Sequence, residues 1–309
     1  MRRLDNIGFI GAGKVGFTLG KYFIKHGAGL SGYYSKNASS AKDAAEFTGS
    51  RQYGRLEELV ASSDVLFLTV PDNSIRLVWD ELLACGVNLS GKLICHASGS
   101  LSSEIFNEAD QCEATALSLH PLFAISDKYH SFEQLHKAVF TIEGEPGEWR
   151  DTMRNFIEGC GNTVELIAAK DKPLYHAAAV VASNFLVGLS YLSSSLLEYC
   201  GFSEESAKRA LLPLMEGSLR NVISQGTIAA LTGPVERNDC ETVRKHIRAL
   251  SEMEKNKVEQ AGVKEEPVLN SQEAVLLYQS MTRLLMEIGH SKHKETDYRL
   301  MEDIVKLRT

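Results

Sequence analysis

Residues 11–16 read Gly-Ala-Gly-Lys-Val-Gly, and this segment constrains the fold more than any other part of the chain. The apolar run Ile7–Ile10 precedes it, and apolar residues at helical spacing follow it. The first glycine permits a tight strand-to-helix turn, the second leaves room for a phosphate, and the third lets the helix pack on the sheet. The pattern predicts a βαβ unit that binds a dinucleotide at the helix N-terminus. The binding residues we expect there are Gly11, Ala12, Gly13, Lys14, Val15 and Gly16.

The chain divides into two halves with different periodicities. Up to residue 166, apolar runs of strand character alternate with helical patterns. The predicted strands are 4–10, 28–34, 64–70, 93–96, 114–119, 139–143 and 163–166, and the predicted helices are 14–26, 38–47, 56–61 and 74–84. From Asp171 onward, helices are predicted at 172–200, 203–225, 239–249 and 272–290. We therefore predict an α/β chain whose residues 1–168 form a Rossmann-type domain with a parallel sheet and whose residues 169–309 form an all-helical domain.

The overall composition excludes several classes of protein. A formal net charge of −7 and a pI near 5.8 disfavour a broad nucleic-acid-binding surface. No uninterrupted apolar run reaches the ~18 residues that span a bilayer, and no signal-peptide pattern follows the basic start, so we expect neither membrane insertion nor secretion. The six cysteines form no Cys-x-x-Cys pair. We expect free thiols, no metal site and a cytoplasmic location.

The end of the second strand predicts which dinucleotide binds. NAD-binding versions of the fold place a carboxylate there to accept hydrogen bonds from the ribose hydroxyls. This chain has Ser35, Lys36 and Asn37 instead. A hydroxyl, an ammonium and an amide can bind a 2′-phosphate, which a carboxylate would repel. The segment therefore favours NADP, although Lys36 as an ordinary surface lysine is the alternative.

Two further strand ends are expected to border the cofactor groove, because ligands of open α/β sheets bind at the carboxyl ends of the strands. One is Val70-Pro71-Asp72, where Asp72 or Asn73 is also expected to cap the following helix. The other contains Ser98 and Gly99, preceded by His96, which we interpret as a packing residue. Helix capping alone is the alternative role for Asp72.

Hydride transfer needs a proton donor near the substrate and, for an acid, a cation. His120 ends an apolar run, and the first predicted helix of the second half carries Lys172, His176, Ser183 and Asn184. Because polar groups on an apolar helix are costly to bury, we expect the four polar side chains of this helix to face the cleft. A later turn supplies Thr232 and Arg237 for a carboxylate. The alternatives are a core histidine at 120, a surface lysine at 172 and a helix N-cap at Asp239.

Six segments together resemble the Rossmann-like proteins that carry the domain of unknown function 2520. They are the glycine loop, Val70-Pro71-Asp72, His96-Ala97-Ser98-Gly99, Leu119-His120-Pro121-Leu122, Tyr175 to Ala179 with Ser183-Asn184, and Leu231 to Val235 with Arg237 and Asp239. The resemblance covers nearly the whole chain. It implies an NADP-dependent reductase with a 6-phosphogluconate-dehydrogenase-like helical domain, a homodimer formed through that domain, and reduction of 2-dehydropantoate (ketopantoate) to pantoate in pantothenate synthesis.

The chain departs from that family at two places. Asn238 stands where the family has glycine, and asparagine tolerates the left-handed backbone of such a turn. Ketopantoate reductases have Lys and Asn four residues apart on the first helix of the helical domain, whereas here His176 follows Lys172 at that distance. Either Lys172 or His176 is therefore the expected proton donor, with Asn184 orienting the substrate. An imine reductase of the pyrroline-5-carboxylate type and a non-catalytic dinucleotide sensor are the alternative functions.

Overall fold

A computed structural model describes residues 3–260 and 270–306, with side chains left undescribed at 254–260. The chain forms two compact units, Met1–Asn184 and Phe185–Thr309. The first unit thus continues beyond residue 168, and the division into domains 1–168 and 169–309 stays a prediction.

The first unit contains one eight-stranded sheet. Its strands are β1 (Ile7–Ile10), β2 (Leu30–Tyr34), β3 (Arg51–Gln52), β4 (Val65–Leu68), β5 (Leu93–His96), β6 (Thr115–Leu122), β7 (Val139–Glu143) and β8 (Thr163–Leu166). Their order is β3-β2-β1-β4-β5-β6-β7-β8, and β1 to β6 are parallel. The first six strands have the order of a doubly wound dinucleotide-binding fold. The sheet is mostly parallel, as predicted, and departs from this only at its end, where β7 is antiparallel to β6 and β8 is parallel to β7.

Helices cover both faces of this sheet. They are α1 (Lys14–Lys25), α2 (Ala38–Thr48), α3 (Leu56–Ala61), α4 (Asp72–Ala84), α5 (Ser131–Gln134), α6 (Glu148–Gly159) and α7 (Lys172–Ala182). On one face α1 and α6 bury Phe17, Phe23 and Trp149, and on the other α3 and α4 bury Leu59 and Trp79. The Rossmann-type prediction for this part of the chain is confirmed.

The arrangement of the strands determines where the predicted site residues meet. Neighbouring strands β1, β4, β5 and β6 run in the same direction, with Leu68 of β4 in register with His96 of β5. The loops after these strands therefore lie along one edge of the sheet. The predicted cofactor-binding residues lie in the segments that follow β1, β2, β4 and β5, and His120 lies near the end of β6.

The second unit is helical in its described part. Its helices are α8, which begins at the unit boundary (Asn184–Tyr199), α9 (Glu204–Ala230, with a non-helical Gly226), α10 (Cys240–Gln260), α11 (Ser271–Lys292) and α12 (Arg299–Ile304). Residues 261–269, between the helices predicted at 239–249 and 272–290, lie outside the described residues. The helix predicted at 272–290 extends to Lys292, and Met301 and Val305 beyond it are fully buried against Val243 and Met286.

The continuous helix predicted for 172–200 is also wrong. It is broken at Ser183 (φ −120°, ψ −66°), whose hydroxyl donates to the Ala179 carbonyl, a contact that commonly bends helices. By length and composition the stretch Ala169–Tyr199, with a mean hydropathy of 1.5, would suffice to span a membrane, and its most apolar window is not buried. This stretch is interrupted by polar residues, so the count of uninterrupted apolar residues did not detect it.

Candidate active site

The turn between β1 and α1 has the geometry that the glycine pattern predicts. Gly11 has a φ of +106°, and a Cβ there would lie 2.8 Å from the carbonyl carbon of Thr69. A Cβ on Gly16 would lie 2.7 Å from Thr69 Oγ1, so α1 passes close to the end of β4. A Cβ on Gly13 would meet no atom within 4 Å. Packing within the protein thus requires glycine at positions 11 and 16, whereas Gly13 borders open space.

The segment after β2 combines a structural role with an available cation. Asn37 Oδ1 accepts hydrogen bonds from the backbone amides of Ser39 and Ser40 and so caps α2. Ser35 is half-buried, and Lys36 is exposed and makes no ion pair among the described residues. The end of the second strand therefore presents an ammonium and a hydroxyl, and positions 35–37 contain no carboxylate.

The loops after β4 and β5 are joined by a carboxylate. Asp72 Oδ2 accepts hydrogen bonds from Ser98 Oγ at 2.7 Å and from Ser100 Oγ at 2.9 Å. The expectation that Asp72 or Asn73 caps a helix starting at Ser74 is wrong, because α4 begins at Asp72 and Pro71 occupies the N-cap position without a side-chain cap. Asp72 instead fixes the two loops that we expect to border the cofactor.

Lys172 lies underneath these loops and is only 1% exposed. Its ammonium donates to the Ser98 carbonyl oxygen at 2.8 Å and to Ser118 Oγ at 2.6 Å, and so ties the start of α7 to β6 and to the loop after β5. Burial lowers the pKa of Lys172 to about 8. The alternative of a surface lysine is wrong, because all but 1% of this residue is buried.

Two imidazoles converge on Gly99. A Cβ on this buried glycine would lie 2.6 Å from His176 Nδ1 and 3.0 Å from His120 Nε2, so both nitrogens lie close to its Cα. His176 Nδ1 is buried and has no hydrogen-bond partner among the described residues. The rings of His120 and His176 lie 6.3 Å apart and nearly perpendicular. The structure thus brings together one residue from the loop after β5, one from β6 and one from α7.

His120 is held in place by Tyr175. The phenol oxygen of Tyr175 lies 2.7 Å from His120 Nδ1, and the two rings meet edge to face at 5.6 Å. Burial, together with the nearby Lys172 ammonium, lowers the pKa of His120 to about 4. His120 is therefore neutral at physiological pH and carries one N–H. His96, in contrast, is fully buried and bonded to its own loop, as expected for a packing residue.

Ser183 and Asn184 do not join this cluster through their hydrogen bonds. Both are exposed, and Ser183 Oγ donates to Asn184 Oδ1 at 3.0 Å. The break at Ser183 interrupts the helix on which Lys172, His176 and Asn184 were expected to share one face. The roles predicted for Ser183 in substrate binding and for Asn184 in substrate orientation stay predictions.

The predicted substrate residues of the second unit lie on a turn that several side-chain hydrogen bonds hold. Asn238 has a φ of +53°, which confirms that asparagine can replace glycine there, and its side chain donates to the Asp297 carbonyl at 2.8 Å. Asp239 accepts from the amide and hydroxyl of Thr242 and caps α10, as one of the alternatives predicted. Glu236 accepts from His293 at 2.7 Å. Thr232 and Arg237 are exposed on this turn.

Tyr175 and Ser118 complete the cluster, and the sequence analysis assigned a role to neither of them. Tyr175 lies three residues after Lys172, so helical spacing was a signal that it shares the side of α7 that carries Lys172. Ser118 lies two residues before His120 on β6, where alternation places both side chains on one face of the sheet. All six cysteines are free, and the described residues contain no group of three or more His, Cys, Asp or Glu side chains that could hold a metal ion.

Comparison with protein families assigns most of the chain. Residues 2–121 match the Rossmann-like domain, and residues 138–262 match the domain of unknown function DUF2520. No curated protein matches the chain.

Solved structures of the same fold cover nearly the whole chain. Protein TM1727 from Thermotoga maritima is 28% identical with a TM-score of 0.67, and the alignment covers 93% of this chain and 99% of that one. BF3122 from Bacteroides fragilis, named as a candidate NADP oxidoreductase, is 21% identical with a TM-score of 0.68, covering 92% and 98%. A reductive aminase from Aspergillus terreus, in complex with NADPH and ethyl-5-oxohexanoate, is 16% identical with a TM-score of 0.61, covering 99% and 100%.

Proposed function

We propose that this chain, which combines a Rossmann-like domain with a DUF2520 domain, is an NADPH-dependent oxidoreductase that reduces a small 2-keto acid. The open space beside Gly13 fits a diphosphate, which residues 11–16 and the start of α1 would hold. Ser35, Lys36 and Asn37 would hold the 2′-phosphate. Val70, Pro71, Asp72, Ser98 and Gly99 would border the rest of the cofactor. The reductive aminase of the same fold, solved with NADPH, supports this choice.

The observation that carries the proposal is the pair of imidazole nitrogens at Gly99. An unpaired polar atom in a buried position costs free energy, and such atoms are expected where a ligand completes the hydrogen bonds. His176 Nδ1 is such an atom, and it lies beside the neutral imidazole of His120. A carbonyl oxygen placed at these two nitrogens would receive hydrogen bonds as negative charge develops on it.

The residues then have distinct roles in the reduction. When bound, NADPH supplies the hydride that reaches the carbonyl carbon. His176 donates the proton that the oxygen takes up, and His120 binds the same oxygen. We assign the donor role to His176 rather than to Lys172, because the ammonium of Lys172 is already engaged by Ser98 and Ser118. Lys172 instead holds the loop that carries Gly99.

We further propose 2-dehydropantoate as the substrate and pantoate as the product. The resemblance of the late sequence motifs supports this choice, and the exposed guanidinium of Arg237 suits the substrate carboxylate. Thr232, Ser183 and Asn184 are the proposed polar contacts to the rest of the substrate. Reduction of a cyclic imine is the second candidate, because a pyrroline carboxylate reductase from Plasmodium falciparum with NADP bound shares the fold, with 15% identity and a TM-score of 0.54.

We also propose that the protein is a cytoplasmic homodimer. Large apolar side chains of α8 and α9 are exposed in the single chain, among them Phe185, Val187, Leu214 and Ile223. An apolar surface of this kind is typical of a subunit interface. A dimer in sedimentation equilibrium at micromolar concentration would support this proposal, and a monomer would contradict it.

Loss of NADPH absorbance with 2-dehydropantoate and with a cyclic imine tests the proposed function. We expect turnover with the keto acid and a loss of about a hundredfold or more in kcat for His176→Ala. His136→Ala, at an exposed histidine bonded only to the Glu133 carbonyl, is the matched control and should keep full activity. Tight NADPH binding without turnover of any carbonyl or imine would indicate a sensor and contradict the proposal.

A further inference from the structure

Tyr175 has no part in the proposed reduction so far, yet it makes the only hydrogen bond of the His120 ring among the described residues. Its hydroxyl lies 2.7 Å from His120 Nδ1. The tyrosine is half-buried and belongs to α7, whereas the histidine belongs to β6. The hydrogen bond therefore joins the ring of His120 to a different element of the fold.

The direction of this hydrogen bond follows from the chemistry of the two groups. A neutral imidazole has one N–H and one nitrogen that accepts. A phenol is a good donor, and an unprotonated imidazole nitrogen is a good acceptor, so the favoured arrangement has the Tyr175 hydroxyl donating to Nδ1. The single N–H of the neutral ring is then on Nε2, the nitrogen that lies beside Gly99. The reverse arrangement would leave Nε2 without a hydrogen to donate.

We infer that Tyr175 is a positioning residue that fixes the tautomer of His120, so that His120 presents an N–H to the substrate oxygen at Gly99. This inference rests on the proposed function and adds a residue to it. Tyr175 acts through His120 and does not itself touch the substrate. The arrangement resembles other sites in which the partner of one ring nitrogen decides which group the other nitrogen offers.

A second pair in the chain provides a control for the chemistry. The hydroxyl of Tyr278 lies 2.7 Å from His246 Nδ1, with the rings edge to face at 5.7 Å. This pair has similar geometry but belongs to α10 and α11 of the second unit. His246 is exposed. Tyr278→Phe thus removes a hydroxyl from a contact of similar geometry that involves none of the residues proposed for the reaction.

The test compares Tyr175→Phe with Tyr278→Phe in the full chain. The nitrogen chemical shifts of the His120 ring in the 15N-labelled protein, without cofactor, report which nitrogen carries the proton. We expect the Nε2–H tautomer in the unmodified protein and a mixture of tautomers in Tyr175→Phe. In the NADPH oxidation assay, Tyr175→Phe should lower kcat about tenfold, as expected for one misdirected donor, with the affinity for NADPH unchanged. Tyr278→Phe should change neither measurement.

Each contrary result has a defined meaning. The Nδ1–H tautomer in the unmodified protein, or an unaltered tautomer in Tyr175→Phe, overturns the inference independently of activity. Turnover by Tyr175→Phe within twofold of the unmodified protein also overturns it while leaving the proposed reductase intact. Absence of turnover in the unmodified protein overturns the proposed function, and with it the role of Tyr175 in that function.

Discussion

The ammonium of Lys172 donates a hydrogen bond of 2.8 Å to the backbone oxygen of Ser98, and so joins the first turn of α7 to the loop that carries Gly99. A full positive charge is thereby buried within the first unit. Burial lowers its pKa to about 8 from an ordinary value of 10.5, which links protonation of Lys172 to folding.

This linkage predicts how stability depends on pH. Between pH 8 and 10.5 the unfolded chain binds a proton at Lys172 that the folded chain has lost, so the free energy of unfolding rises with pH in this window. Lys172→Met lacks this contribution. The difference in unfolding free energy between the unmodified protein and Lys172→Met, from urea denaturation, should therefore rise from pH 8 to 10.5. Lys170→Met, at an exposed lysine, should show a flat difference, and a flat difference for Lys172→Met would contradict the burial of its charge.

Gly13 and Gly16 are predicted to respond oppositely to alanine. Gly13→Ala meets no protein atom within 4 Å, so the melting temperature should stay unchanged while the affinity for NADPH falls about tenfold or more. Gly16→Ala would place a methyl group 2.7 Å from Thr69 Oγ1 and should cost about 1–3 kcal/mol of stability. Calorimetric unfolding and NADPH fluorescence titration separate the two effects. If Gly13→Ala binds NADPH with unaltered affinity, the cofactor does not bind at this loop.

Lys36→Ala tests the choice between the two dinucleotides. Loss of one ammonium from the proposed 2′-phosphate site should weaken NADPH binding about tenfold and leave NADH binding unchanged. The control is Lys42→Ala, in the following helix, which removes an exposed lysine paired with Glu46. If Lys36→Ala weakens both dinucleotides equally, the phosphate is bound elsewhere.

Gly99→Ala tests the convergence of the two imidazoles. The added methyl group would lie within 3.0 Å of nitrogen atoms of both His120 and His176, so at least one ring must move. We expect kcat to fall about a hundredfold, because misplaced donors no longer meet the developing charge. Gly54→Ala, at a glycine whose Cβ would meet no atom within 4 Å, should retain activity. Full activity of Gly99→Ala would place the reaction away from this glycine.

Local sequence patterns predicted much of the first unit because strand runs and glycine turns are local signals. β5, β7, β8 and α3 have the predicted bounds. No helix was predicted at α6, although Trp149, Met153 and Ile157 recur at helical spacing. The two-residue β3 is too short to give a pattern, and the reversal of β7 depends on which strand it pairs with, which periodicity does not specify.

The site was predictable where function depends on backbone geometry and less so where it depends on contacts. Gly11 and Asn238 adopt the left-handed backbone that their turns require, as the sequence indicated. The contact between His120 and Tyr175 joins residues 55 positions apart and could not be read from spacing along either element. Likewise, a carboxylate at a helix start predicts a cap, but the hydroxyls of Ser98 and Ser100 bind Asp72 instead.

A crystal structure of the protein with NADP⁺ and pantoate would show where the reacting groups bind. We expect the nicotinamide at Gly99, with its reactive carbon about 3–3.5 Å from the carbinol carbon of pantoate. The carbinol oxygen should lie within hydrogen-bonding distance of His176 Nδ1 and His120 Nε2. A nicotinamide ring bound away from Gly99, or a carbinol oxygen bound by neither histidine, would contradict the account.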